Sequence, residues 1–136
     1  MANGTIAFDT LSTSGQIESR TTGLSIDTDY LVHGSNKAWT NIQYNSSAPG
    51  ILDSLNAASV ADTAAGEYTV TLSNNMVNSS YVCVANQQDF AVEHQSPTLA
   101  TSTFGMRLIA DSSGARADIG NGTNSFAIVT GELAWQ

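Results

Sequence analysis

Positive charge is scarce in this chain of 136 residues, with Lys+Arg 4 against Asp+Glu 12 and a formal net charge of -8. The cations Arg20, Lys37, Arg107 and Arg116 are dispersed. Nucleic-acid binding relies on several Lys/Arg contacts that release counterions from phosphate, so an acidic chain without a basic cluster argues against a nucleic-acid partner. The same sign argument disfavours an anionic membrane surface. No run approaches the roughly 20 apolar residues that a membrane-spanning helix requires, and membrane insertion is not expected. A single cysteine, Cys83, cannot form a disulfide within the chain. Only two prolines, Pro49 and Pro97, interrupt the sequence, and no Pro- or Gly/Ser-rich linker divides it. The stretch after Met1 has neither the basic region nor the apolar run of a secretory signal, so synthesis in a cytoplasm without export by that route is expected.

In place of charge, which is 12% of residues, stand 17 Ser, 15 Thr and 11 Asn, giving a surface of hydroxyls and amides. Hydrophobic content is 41%, enough to argue against global disorder. One domain is the natural reading of this length. The composition shifts near residue 30. Residues 1–29, rich in Thr and Ser and punctuated by Gly15 and Gly23, read as an attachment arm of short strands and turns. Residues 30–136 read as the main domain.

There the apolar residues recur at strand spacing. In Glu67–Ser73, Tyr68, Val70 and Leu72 fall on one face and Thr69, Thr71 and Ser73 on the other. Tyr81–Asn86 follows after a polar connection around Met76, and the two predict an antiparallel hairpin. Cys83, among Tyr81, Val82 and Val84, reads as a small buried hydrophobe. Further strands are expected at Tyr30–His33, Lys37–Tyr44, Thr103–Ala110 and Ser125–Trp135, with turns at Ser113-Gly114 and Asn121-Gly122. Ile51–Ala65 carries Ile51, Leu55 and Ala58 at helical spacing, but Ser, Asn, Val and Thr dilute it and the reading leans to strand and loop. The sum is an all-β fold of about seven or eight strands, a single antiparallel sandwich or small barrel with an extended N-terminal arm.

Chemistry-bearing patterns are sparse. His33 and His94 are isolated, and one Cys with two His does not supply a zinc ligand set. Asp27-Thr28-Asp29 opens like a calcium loop but continues into Tyr30-Leu31, without the required glycine and ligands. Gly120-Asn121-Gly122 suits a hairpin turn better than a phosphate cradle. No nucleophile-elbow pattern is present. The expectation is a non-enzymatic protein with no catalytic residues, no cofactor and no metal. Aromatic residues on strands usually pack in cores. Trp39, Phe90 and Trp135 are the candidates for an interface or a surface contact. Thr5, Ile6, Phe8 and Leu11 are the candidates for attachment through the arm, because Thr/Ser-rich strands can extend a neighbour's sheet.

Residues 34–86 resemble a β-domain that recurs in virion structural proteins of tailed bacteriophages, of the tail-fibre-like or capsid decoration kind. The likeness is carried by Gly34, Ser35, Lys37, Ala38 and Trp39, then Ser54, Leu55, Asn56 and Ser59. It continues through Gly66, Tyr68, Thr69 and Val70, and through Met76 and Tyr81. TFGMRLIADSSGARAD and SFAIVTGE are similar to the closing strands of that family, and GTIAFDTLSTS to its amino terminus. The chain departs from the pattern in Leu55, where Phe is frequent, and in Cys83. The resemblance implies a virion location, a homotrimer, and a partner in the major capsid protein or the tail proteins. It leaves two roles open. One is a decoration protein that cements the outer capsid; the other is a short tail-fibre or tail-tip protein that recognises the host surface, including a host glycan. A cellular carbohydrate-binding or hydrolytic sandwich is the reading from a different class.

Overall fold

A computed structural model of the chain is described for residues 16–18, 25–27, 34–45, 48–87, 90–93, 99–110, 113–118, 120 and 122–134. Within residues 1–29 these comprise β1 (Gln16–Glu18) and β2 (Ser25–Asp27), an antiparallel pair with Ile17 opposite Ile26. The main body is built from β3 (Asn36–Asn45), β4 (Ala48–Leu55), β5 (Ala57–Ala64), β6 (Glu67–Leu72), β7 (Val82–Gln87), β8 (Phe90–Glu93), β9 (Thr103–Ala110) and β10 (Asn124–Thr130). Every pairing is antiparallel and the order across the sheet is β4-β3-β10-β7-β8-β9-β6-β5. One residue pair, Gln87 opposite Phe90, joins β7 to β8. The sheet folds there into two four-stranded layers, a β-sandwich.

The core lies between the layers. The layer β4-β3-β10-β7 contributes Ala38, Ile42, Ala127 and Val129. The facing layer contributes Tyr68, Val70 and Leu72 from β6 and Phe104, Met106 and Leu108 from β9. These six follow the strict alternation of their strands, since a period of two puts every second side chain on one face. Tyr44 and Tyr68 meet edge-on across the layers with ring centroids 6.4 Å apart. Inward-facing Thr40 and Ser125 are buried polar side chains of the first layer whose hydroxyls have no hydrogen-bond partner among the described residues.

The segment 51–65 is strand, as its dilute helical spacing suggested, but it is two strands broken at Asn56. There the backbone enters the left-handed region (φ 56°), which Asn tolerates better than other residues bearing a side chain. The chain leaves one layer as β4 and enters the other as β5 across this single residue. The Asn56 amide fastens the corner. Its Nδ2 donates to the carbonyls of Lys37 and Asn74 (both 3.1 Å), and its Oδ1 accepts from the Asn74 backbone N–H (2.6 Å) and Nδ2 (3.1 Å). The Asn56 carbonyl accepts from the N–H of Ser73 at 3.1 Å.

The expected hairpin of Glu67–Ser73 with Tyr81–Asn86 does not form. β6 pairs with β5 and β9, whereas β7 pairs with β10 and β8. The connection between them crosses from one layer to the other. Met76 is buried in it, bridges to Leu133 and donates its N–H to the Thr101 carbonyl at 2.8 Å. Residues 73–81 are long enough to make the crossing and carry their own backbone partners, so pairing with the adjacent strand has no advantage here. The last strand also stops at Thr130, before Gly131 (φ 156°), where a Cβ would come within 2.8 Å of Tyr81 Cβ. The expected strand Tyr30–His33 lies outside the described residues, as does Asn121 of the expected Asn121-Gly122 turn.

At the opposite turn, β5 and β6 meet at Gly66 (φ 69°), where an added Cβ would lie 2.7 Å from the Leu108 carbonyl oxygen. The Gly66 N–H donates to Asp118 Oδ1 at 2.6 Å, so the segment after β9 is strapped over this turn.

Asn56 yields a graded test of the corner. Asn56→Gly keeps the backbone conformation and removes the four side-chain hydrogen bonds, with an expected loss of about 2–4 kcal/mol at roughly 0.5–1 kcal/mol per hydrogen bond. Asn56→Ala should lose about 1 kcal/mol more, because a Cβ without a compensating polar group pays the left-handed penalty. Urea unfolding should rank wild type above Gly above Ala; equal stability of all three would show the amide contacts to be inconsequential.

Candidate functional site

The two outer faces of the sandwich differ in character. On the β9-β6-β5 side, the outward positions hold Glu67, Thr69 and Thr71 on β6, Thr103, Gly105, Arg107 and the part-buried Ile109 on β9, and Ser59, Ala61 and Ala64 on β5. The charges there are paired, one carboxylate with two guanidinium groups. Glu67 Oε1 accepts from Arg107 Nη2 at 3.0 Å and Nε at 3.2 Å, and from Arg116 Nη1 at 2.6 Å. This is a structural ion triad that straps the 113–118 segment to the sheet.

The other outer face is apolar. Register places Leu55 opposite Trp39, Trp39 opposite Ile128, and Ile128 opposite Val84, a rung of four apolar side chains across β4, β3, β10 and β7. The next rung is Asp53, Asn41, Phe126 and Asn86, and Val82 pairs with Thr130 on the other side. Leu52 is the extra residue of a bulge between the Asp53 and Ile51 pairings and is exposed beside Asp53. Leu52, Leu55, Val82, Val84, Phe126 and Ile128 are six of the seven large apolar side chains exposed among the described residues; the seventh, Val77, is in a loop. Val82 and Val84 are the barest, at 59% and 58%. Scattered exposed apolar residues are ordinary, but a contiguous patch marks an interaction surface.

The inward side of these strands carries smaller groups. Cys83 and Ala85 alternate with Val82 and Val84 on β7, and Ala127 and Val129 alternate with Phe126 and Ile128 on β10. Cys83 is therefore part-buried against the core, as its surroundings suggested. Burial pushes its thiol up to about 11, so at neutral pH it holds its proton. Its neighbour Tyr81 is raised to about 12, first by burial and then by the nearby thiolate form of Cys83. The Tyr81 hydroxyl lies 2.7 Å from the Thr103 carbonyl oxygen and 3.0 Å from that of Ala100, a donation that only the neutral phenol can make.

Of the aromatic candidates, Trp39 sits half-buried at the middle of the apolar face, and not in the core where strand aromatics usually go. Phe126 joins it there, 47% exposed, although its strand position suggests burial. Phe90 falls in β8, opposite Ala110. Trp135 and the arm residues Thr5, Ile6, Phe8 and Leu11 lie outside the described residues, as do His33 and His94. The structure thus brings Trp39 together with six residues that the sequence did not single out as a site. The signal was available: Tyr81–Ala85 and Phe126–Val129 are apolar on both faces, the pattern of strands covered on both sides.

Among the described residues no three His, Cys, Asp or Glu side chains are grouped to hold a metal ion, and no helix is long and apolar enough to cross a membrane. No protein-family model, curated protein or solved structure matches the chain. What the arrangement offers chemically is burial of an apolar, nearly uncharged surface against another molecule.

The two raised groups beneath the face set an alkaline limit on stability. Cys83 and Tyr81 hold their protons more tightly in the folded protein than at the ordinary values of 9.0 and 10.0. Their stabilisation is whole below about pH 9 and is lost as pH rises towards 11 and then 12. The melting temperature should fall across that window, and the fall should be shallower in the Cys83→Ala/Tyr81→Phe double variant. A wild-type melting temperature flat from pH 9 to 11 would refute this coupling.

Proposed function

We propose that the chain is a non-enzymatic structural protein of a bacteriophage virion, a decoration protein that binds the outer capsid surface and stabilises the shell. The observation that supports this reading is the apolar sheet face. A protein that works alone in solution rarely leaves six large apolar side chains together on one side, whereas a protein whose working state is an assembly does. The resemblance carried by Gly34–Trp39, Gly66–Val70 and Tyr81 supplies the virion and the homotrimer. On this reading, residues 1–29, with Thr5, Ile6, Phe8 and Leu11, grip the capsid. The Ser-, Thr- and Asn-rich remainder faces the medium. Stabilisation follows from linkage, because a partner that binds the assembled shell and not its free subunits shifts the equilibrium towards the shell. The surplus of negative charge keeps such a protein from adhering to nucleic acid.

Immunogold labelling of intact virions with an antibody against this chain tests the proposal. Label over the head is the expected result. Label confined to the tail would replace decoration with a fibre or tail-tip role, and particles without label would overturn the virion reading.

A further inference from the structure

We infer that the outer face of β4-β3-β10-β7, centred on Trp39, Ile128 and Val84, is the surface through which copies of this chain associate. Charge favours a second copy as the occupant. The chain carries a net charge of -8, so two copies repel each other on most approaches. On this face the outward positions of the four strands hold two charged residues, Lys37 and Asp53, of opposite sign. The two charges cancel, so copies that meet there add no like-charge contact of the face's own to the general repulsion between acidic molecules. The pair of opposite charges also makes the face complementary to itself, as contact between identical surfaces requires.

Size agrees. Four strands about 4.8 Å apart, each presenting some seven residues at about 3.3 Å per residue, give a face roughly 20 by 23 Å. That is a flat footprint of about 460 Å², which side-chain relief enlarges to the lower end of the range that specific interfaces bury. Bulky outward residues (Trp39, Phe126, Ile128, Leu55) over small inward ones (Ala38, Ala127, Cys83, Ala85) invert the usual strand arrangement. That inversion places the larger hydrophobic surface outside the domain's own core. Sheets pack face to face at about 10 Å through such side chains, which suits either two copies back to back or three around an axis.

The inference stands apart from the virion reading, because it concerns free protein. The test is sedimentation velocity on the full chain at about 10–100 μM. Wild type is expected as a dimer or trimer. Val84→Lys and Ile128→Lys are each expected to sediment as monomers with an unchanged far-UV spectrum, because each would bury an unpaired charge at the contact; both lower the net negative charge, so a rise in overall repulsion is not the cause. Thr71→Lys, on the opposite outer face, should assemble as wild type does. If a lysine variant loses its β spectrum, Val84→Ser and Ile128→Ser replace it, with at least a tenfold weaker association expected. A monomeric wild type at 100 μM would overturn the inference. So would oligomers that persist unweakened in the face variants, or a monomer that uses Val84 and Ile128 only to bind another protein.

Discussion

The sandwich depends on a single amide. Two sheets related by a one-residue connection need that residue to reverse the strand direction and to satisfy the backbone groups that the reversal strips from the ladder. Asn56 does both. Its left-handed backbone makes the turn, and its side chain reaches the carbonyl of Lys37 on one layer and the backbone of Asn74 at the start of the crossing segment. Three parts of the chain far apart in sequence are thereby held at one point. The crossing segment that begins at Asn74 goes on to bury Met76, and Tyr44 and Tyr68 meet across the same two layers. A glycine could make the same turn, but it would leave the carbonyls and the Asn74 N–H to find other partners.

With the corner fixed, the layers are free to differ on their outer sides. β6 and β9 alternate, with apolar residues inward and mostly Thr, Gly and paired charges outward, so among the described residues that side exposes no large apolar side chain. β7 and β10 are apolar on both sides, with the bulkier residues outward. The small inward residues Ala127, Ala85 and Cys83 contribute less apolar surface to the domain's own core than the larger residues facing outward would. The arrangement is intelligible if the outer residues are covered in turn, since a larger side chain contributes more when it is removed from water.

Much of this architecture is legible in the sequence, and the illegible parts have physical causes. The strands β6 and β9 and their buried faces follow directly from period-two alternation, and so does the all-β class. Asn56 is hidden because the chain turns there without Gly or Pro, in a stretch whose Ala and Ser residues carry little periodic signal. The expected β6–β7 pairing does not form because adjacency along the chain is only a weak guide when the connection is long enough to change layers. The apolar face is the most instructive case. Trp39 is a surface candidate from the sequence, but Phe126 reads as core because strand aromatics usually are, and a run such as Phe126–Val129 has no alternation that could say which side is inward. The unbroken run was itself the clue, since it marks a strand with apolar neighbours required on both faces.

The scarcity of charge acquires a role in this setting. A soluble domain normally holds about a quarter of its residues as charged groups, whose mixed signs permit many weak, nonspecific encounters. Here the charged groups are fewer and mostly of one sign, so encounters are generally repulsive. One exception is the face on which Lys37 and Asp53 offset each other around an apolar centre. The opposite outer face is not negative either, since Glu67 is held there by Arg107 and Arg116, so charge alone does not select an orientation. What separates the two faces is the exposed apolar surface, whose burial is gained on the β4-β3-β10-β7 side. A surface built of hydroxyls and amides around that face contributes solubility without adding competing charge contacts.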